Sequence, residues 1–478
     1  MSDSPVGPSP PIEGVGDMDA EAFRVQAHQV VDWIADYLAS VRDRAVFPDI
    51  EPGWLRSRLP AHPPAEPESM DAVLTDFREL VVPAITHWNH PSFHAYFANS
   101  ASGPGILGEM LAAALNANAM VWRASPAGTE LEEVAVDWLR EIVGLPPVFA
   151  GVINDTASTS TLVALAAARE AGALGDRPGR IYASVEAHSS VQKAGMVLGL
   201  GRDGVQAIPT DAEWRMQPQA LADHVRADRE AGVLPLAVVA TLGTTSTTSV
   251  DPVAEIAEIA AAEQMWLHVD AAYAGPAAVL PELARHFVGW ERADSIVVNP
   301  HKWLFTPMDC SVLFFRDPDR IRAAFSLTPE YLKTPEEGQG TNLMDYGVAL
   351  GRRFRALKLW MVIRAFGVSG IEARIREHCR LARLFASWVA DAPGWEVSAP
   401  VPFASVLFRW TGDGEEAGSI DAANHAVLEG LNRSGTAFLS HTVLEGRTVL
   451  KLSVGNLRTT EADLARTWTA LRDQAARP

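Results

Sequence analysis

From about residue 102 to residue 360, short apolar β-branched runs alternate with helical patterns, and this alternation restricts the fold more than any other feature of the chain. Ala237–Ala240 (AVVA), Trp266–Val269 (WLHV) and Ser295–Val298 (SIVV) are largely apolar, and each leads into polar residues or glycine. Strands of that kind are covered by helices on both faces, which predicts an α/β domain with a mostly parallel sheet. Ligands of such sheets bind where the strands end at their carboxyl edges. The polar residues just after these runs are therefore the first candidates for chemistry.

The rest of the chain arranges itself around that core. Residues 1–17 are rich in Pro, Gly and Ser and read as a tail. Over 18–101, Phe23, Ala27, Val30, Val31, Ile34, Tyr37 and Leu38 recur at helical spacing, predicting an amphipathic helix that ends before Phe47-Pro48. Five prolines between Glu51 and Pro67 forbid one long helix there, and a second helix is expected over 71–82. These segments hold too little apolar surface to fold alone, so they read as an arm that packs on something else, a homodimer partner being the candidate. Residues 361–478 read as a smaller α+β domain. They carry a helix near Gly370–Val389, apolar runs at Ala404–Trp410 and Val449–Val454, and a last helix over Glu461–Leu471.

Composition narrows the function classes. The chain has 478 residues, and its 59 acidic side chains against 40 basic ones give a formal charge of −19, a surface that repels nucleic acid and anionic lipid. Any anionic cofactor must then be captured by local donors. Cys310 and Cys379 are the only cysteines and lie too far apart for a zinc ribbon, so they read as buried thiols and no metal is expected. The N-terminal stretch has no basic region followed by an apolar run, and no stretch is apolar enough to span a bilayer; a reducing cytoplasm is the expectation.

Five segments could carry chemistry. In Ser295-Ile-Val-Val-Asn-Pro-His-Lys-Trp303 a buried strand runs straight into Asn299, His301 and Lys302. An amine held between bulky rings at a sheet edge is desolvated and nucleophilic, although a lysine at a strand end also commonly just reaches solvent. In Trp266-Leu-His-Val-Asp-Ala-Ala-Tyr-Ala-Gly275 the strand ends in Asp270, followed by small residues that admit a flat ring. That acid could keep a ring nitrogen protonated, or it could cap the next helix. Asp155-Thr-Ala-Ser-Thr-Ser-Thr161 puts hydroxyls at a helix start, which suits a phosphate as well as ordinary capping. His188 in Glu186-Ala-His-Ser-Ser190 takes its weight from its company. Tyr331 lies in Thr328-Pro-Glu-Tyr-Leu-Lys-Thr-Pro335, a Pro- and charge-rich stretch that reads as a long loop, surface or lid.

Taken together these segments resemble the group II pyridoxal 5′-phosphate (PLP)-dependent decarboxylases, most closely the aromatic-L-amino-acid decarboxylases. The likeness runs from about Phe23 to the C-terminal helix and includes Glu51-Pro-Gly-Trp-Leu-Arg56, His87-Trp88, Ser125-Pro-Ala-Gly-Thr-Glu-Leu131, Asn299-Pro-His-Lys302 and Leu350-Gly-Arg-Arg-Phe-Arg355. The resemblance implies the PLP-dependent transferase fold type I, aspartate-aminotransferase-like, as an obligate dimer with its active site at the interface. It implies that Lys302 carries the cofactor as a Schiff base, that Asp270 pairs with the pyridine nitrogen, and that His188 stacks on one ring face with Ala272 against the other. Thr245 would stand near the cofactor, and Ala157, Ser158, Asn299 and His301 match phosphate-binding positions. Trp88, the stretch Tyr96-Phe97-Ala98-Asn99-Ser100, Met120 in the partner-subunit stretch, and Gly351 match the substrate pocket.

Tyr331, assisted by His188, would return a proton to Cα after carbon dioxide leaves. Relatives with phenylalanine at that place tend to form aldehydes, so tyrosine favours the amine. Gly351, where histidine and some tyrosine decarboxylases have serine, leaves room for an indole or catechol ring. Thr159-Ser160 in place of the family's Glu-Ala, and the polar residues near 96–100 and 118–120, keep an aliphatic substrate such as methionine or valine open, as well as an aldehyde-forming outcome.

Overall fold

A computed structural model describes residues 16–97, 99–175, 177–327, 340–412 and 417–476, without the side chains of residues 417 and 419. Its contacts divide the chain into two compact units, 1–87 and 88–478.

The first unit is built on the helix Ala20–Ser40, whose Asp19 cap accepts from the Glu21 and Ala22 N–H groups. It ends just past Leu38, the last of the spaced apolar residues, and before Phe47-Pro48. Ser40 Oγ turns back to donate to the Asp36 carbonyl at 2.7 Å, and one tight turn, Val41–Asp43, follows. None of its residues is buried in this unit. Trp33 stacks on Tyr37 at 5.3 Å and meets Phe77 edge-on at 4.9 Å. The second expected helix is regular only over Met70–Asp76. It widens through Phe77–Val81 and tightens over Val82–Ala84, where Pro83 has no N–H to continue the ladder.

The second unit holds two sheets. Seven strands form the larger: β1 (Ala150–Asn154), β2 (Gly179–Ser184), β3 (Val205–Ile208), β4 (Leu234–Thr241), β5 (Trp266–Asp270), β6 (Ser295–Val298) and β7 (Ser311–Phe315), in the order β1-β7-β6-β5-β4-β2-β3. Only β7 runs against its neighbours. Every residue of β5 and β6 is buried, as are all but the first of β4. Helices lie on both faces, and one apolar cluster forms on each side. That is the sandwiching the unbroken apolar runs predict.

The smaller sheet is antiparallel, with β8 (Trp395–Val397), β9 (Ser405–Trp410), β10 (Ser440–Leu444) and β11 (Arg447–Ser453) in the order β10-β11-β9-β8. The helix Ala356–Ala390 precedes it and is broken at Gly367, whose φ of 62° only glycine adopts without strain. The chain's last helix, Glu461–Ala475, starts with a reciprocal Thr460–Asp463 capping box.

Candidate active site

The parallel strands deliver their carboxyl ends to one edge of the large sheet. Asp270 closes β5, Thr241 closes β4, Asn299 follows β6, and the turn after β1 leads into the helix Ala157–Ala171. A cavity of about 180 Å³ opens there, bounded by Ala157, Ser158, His188, Thr245, Asp270, Ala272, Asn299, His301 and Lys302, with Phe97 beside them. Six separate stretches of the sequence thus meet at one place. The floor is buried (Asp270, Ala272, Asn299, His301), whereas Ser158, His188 and Thr245 stand at the exposed rim.

Lys302 sits in the single helical turn Pro300–Trp303, held by its N–H to the Asn299 carbonyl at 3.0 Å. Burial lowers the proton affinity of its amine and Asp270 opposes this, so the amine is poised toward its neutral, nucleophilic form. Asp270 accepts the Ala272 N–H at 3.1 Å, which orients the carboxylate at the strand end. His188 Nδ1 accepts from the Ser190 N–H at 3.2 Å and lies 2.8 Å from Ser190 Oγ. The proton of the neutral ring is therefore on Nε2. Desolvation holds this imidazole below its ordinary range, Asp270 opposes that, and Lys302 and Lys193 reinforce it.

Two features suit a phosphate. The helix Ala157–Ala171 begins without a side-chain cap, so its first N–H groups remain open beside Thr156, Ala157 and Ser158 in the cavity wall. The second is the Asn299 amide. His301 Nδ1 accepts from the Cys310 N–H at 2.9 Å, and burial pushes this imidazole down to about 4, so its single proton is on Nε2. The Asn299 amide group 3.3 Å away must then present oxygen to it. The nitrogen thereby turns to the buried amide position that has no partner among the described residues. A buried, unpaired N–H donor in the wall fits an anion.

Thr156, Thr241, Gly243, Tyr273 and Met308 also line the cavity and escaped the sequence reading. Gly243 lay in plain view in the Thr241–Thr245 segment: its φ is 86°, and a Cβ there would come within 3.0 Å of Ala274 Cβ. Tyr273 is the middle ring of a stack, 3.9 Å from Phe97 and 4.9 Å from Trp303.

Other expected pocket residues lie elsewhere. Trp88 stacks on Phe93 at 4.3 Å and faces Tyr96 at 5.9 Å, outside the cavity wall. Asn99 supports the site from behind, donating to the His301 carbonyl at 2.8 Å. Met120 and Gly351 belong to a second locality, where Asn118 accepts the Arg352 N–H at 2.9 Å and Ala119 donates to the Arg352 carbonyl. Ala98 and Tyr331 are outside the described residues.

A seven-stranded, mostly parallel sheet with a cavity holding an amine and an acid at one edge is fold type I of the PLP enzymes. Residues 52–411 match the pyridoxal-dependent decarboxylase conserved domain, and the chain belongs to that family. It is 39% identical to tyrosine decarboxylase 2 of Narcissus pseudonarcissus, the match covering 97% of this chain and 96% of that one. It is also 39% identical to phenylacetaldehyde synthase of Arabidopsis thaliana, over 96% of this chain and 97% of the relative. The crystal structure of Oryza sativa TDC with PLP and tryptamine superposes with a TM-score of 0.94 at 38% identity, covering 96% of this chain and 99% of that one.

Proposed function

We propose that the protein removes the α-carboxylate of an aromatic L-amino acid, releasing the amine and carbon dioxide, with PLP held on Lys302. The observation that carries the reading is the convergence of Lys302, Asp270 and His188 on one cavity whose wall also holds the uncapped start of the helix Ala157–Ala171. When bound, PLP supplies an electron sink for the pair released at Cα.

The chain's own residues supply the rest. Lys302 tethers the cofactor through its desolvated amine. Asp270, at the cavity floor, would hold a proton on the ring nitrogen when the cofactor is bound. His188 and Ala272, both in the cavity wall, would take opposite faces of the bound ring, and His188 keeps a proton on Nε2 available at the rim. The Ala157–Ser158 end of the helix, Asn299 and His301 would receive the phosphate, with Thr245 beside the ring. Phe97 gives the cavity an aromatic side, in keeping with aromatic substrates and with the names of the relatives. Tyr331 is proposed as the proton donor to Cα, with Trp88, Ala98 and Asn99 in the substrate pocket.

Met120 and Gly351 share a locality away from the cavity, which supports a homodimer in which the partner subunit brings them to the site. Leu107, Met110, Leu111 and Leu115, all exposed on the helix Gly103–Leu115, offer apolar surface for that contact. Residues 102–360 are then the cofactor-binding domain and 361–478 the small domain. Both cysteines are free and buried, and no helix among the described residues is long and apolar enough to cross a membrane, in keeping with a cytoplasmic enzyme.

Incubation with a panel of L-amino acids tests the activity. Amine and carbon dioxide from tryptophan, tyrosine, DOPA or phenylalanine are the expected products. Aldehyde with ammonia and peroxide, or turnover of aliphatic substrates alone, would replace this reading with the aldehyde-synthase or the aliphatic one. Borohydride treatment should fix the cofactor to the peptide containing Lys302, and Lys302→Ala should lose both the adduct and turnover.

A further inference from the structure

One buried amine in this region has no place in the reading above. Lys451 lies on β11 and is 3% exposed, and no carboxylate among the described residues comes within ion-pairing distance of it. A buried cation without a counter-charge is costly, so its surroundings must repay it. Its Nζ donates to the Thr245 carbonyl at 2.5 Å and stands over the Phe97 ring, 4.0 Å from the ring centre. Lys302 Nζ approaches that same ring, 5.3 Å from its centre. The loop gripped by Lys451 is held again one residue on, where Ser246 Oγ lies 3.1 Å from Thr442 Oγ1 of β10. Two adjacent strands of the small sheet therefore fasten one wall of the cavity in the large sheet.

We propose that Lys451 is a positioning residue of the cofactor site, an ammonium that ties the small sheet to the Thr245 loop and to Phe97 and so fixes the aromatic side of the cavity. Phe97 in turn lies against Tyr273, and Tyr273 against Trp303, so a shift of the Phe97 ring passes along the stack to the turn that carries Lys302. The cation–ring contact exists only while the amine is protonated. Burial, and after it the charge of Lys302, push this amine down to about 7. The groups around it add no further titration on its own side. Its strand partners are Ser440 and Leu407, and every side chain of the gripped loop from Thr244 to Ser249 is a hydroxyl. Beyond the ring stand the cavity groups Lys302, Asp270, His188 and His301. The clamp is therefore closed below about pH 7 and loosens as the pH rises through it.

The inference rests on the decarboxylase reading, and the test separates the two. Wild-type holoenzyme, Lys451→Met and Lys451→Arg are compared by the pH dependence of the bound cofactor's visible absorption, by its induced circular dichroism and by steady-state kinetics. Lys451→Met is expected to move the absorption midpoint to higher pH, because a neighbouring positive charge is gone, to change the dichroism, and to raise KM by roughly three- to tenfold. Lys451→Arg, whose charge does not titrate, should restore the dichroism and abolish the rise in KM through pH 7. An absorption midpoint, dichroism and KM in Lys451→Met indistinguishable from wild type would overturn the proposal. Should Lys451→Met fail to fold, a KM rise near pH 7 that persists in Lys451→Arg overturns it equally. A wild type with no borohydride-fixed adduct on Lys302 overturns the decarboxylase reading, and this inference with it.

Discussion

Asp270 is the residue on which the electrostatics of the cavity turn. It raises the proton affinity of Lys302, His188 and His268 against the desolvation that lowers all three. Asp270→Asn keeps the shape and removes the charge. Lys302 and His188 then shift further toward their neutral forms, and a protonated ring nitrogen loses its counter-charge. Turnover should fall by roughly a hundredfold or more while the cofactor remains bound, as activity assay and absorption spectra would show together. An Asp270→Asn enzyme with wild-type kcat would leave this acid with a capping role only. How legible such residues are in sequence depends on what surrounds them. Lys302 and Asp270 are readable because each breaks an apolar run at the edge of a buried strand. Lys451 is not, because in Arg447–Ser453 it stands where an outward-facing lysine of any half-exposed strand would stand. Only the tertiary placement of Phe97 and the Thr245 loop makes it a buried cation.

At the scale of elements, the Leu350–Arg355 segment shows how a motif that marks a family can serve the framework. Arg352 and Glu132 form a buried ion pair. The same Glu132 accepts the Ile153 N–H at 2.8 Å, and Arg352 donates to the Ile153 carbonyl at 3.0 Å. Together they pin the edge strand β1 to the helix Pro126–Ile142, just before the turn that leads to Thr156. Arg355 meets both oxygens of Asp309 at 3.0 and 3.1 Å, one residue from Met308 in the cavity wall. Arg352→Met leaves Glu132 charged, buried and unpaired, and should cost about 3–5 kcal/mol in urea unfolding. Adding Glu132→Leu should recover much of that loss, since neither charge is then stranded. Strands were readable here for a simple reason. A strand buried on both faces must be apolar throughout, so β4, β5 and β6 announce themselves. The first half of the helix Ala356–Ala390 did not, because its path is decided by the break at Gly367, and a glycine reads alike whether it sits in a helix or bends one. The locality of Met120 and Gly351 was beyond sequence for another reason: spacing says that residues share a pocket only through a fold, and in one chain these two lie apart from the other pocket residues.

Across the whole molecule, acid should be the condition that unfolds this protein, and the cause lies in its imidazoles more than in its net charge of −19. His94, His268, His301 and His378 are buried, and burial pushes each down to about 4 from an ordinary value near 6.5. A group that binds its proton less tightly when folded favours the folded state at a pH above its unfolded value. That contribution is lost as pH falls from 6.5 toward 4, because the unfolded chain takes up protons the native one refuses. Asp251 works the other way. Burial raises its carboxyl to about 6, so between its ordinary 3.8 and that value the native state holds the extra proton. One carboxyl against four imidazoles leaves a net uptake of about three protons on unfolding near pH 5, which is a slope of roughly 4 kcal/mol per pH unit. Urea unfolding followed at pH 7, 6 and 5 should show the midpoint dropping steeply over the last interval. His301 lines the cavity, where the phosphate proposed to bind would raise its proton affinity, so its share of the effect should grow when PLP is removed, whereas His94, His268 and His378 should titrate alike in both forms. A midpoint flat from pH 7 to 5 would mean that these imidazoles are protonated in the fold, and that the hydrogen bond assigned to Asn299 is reversed.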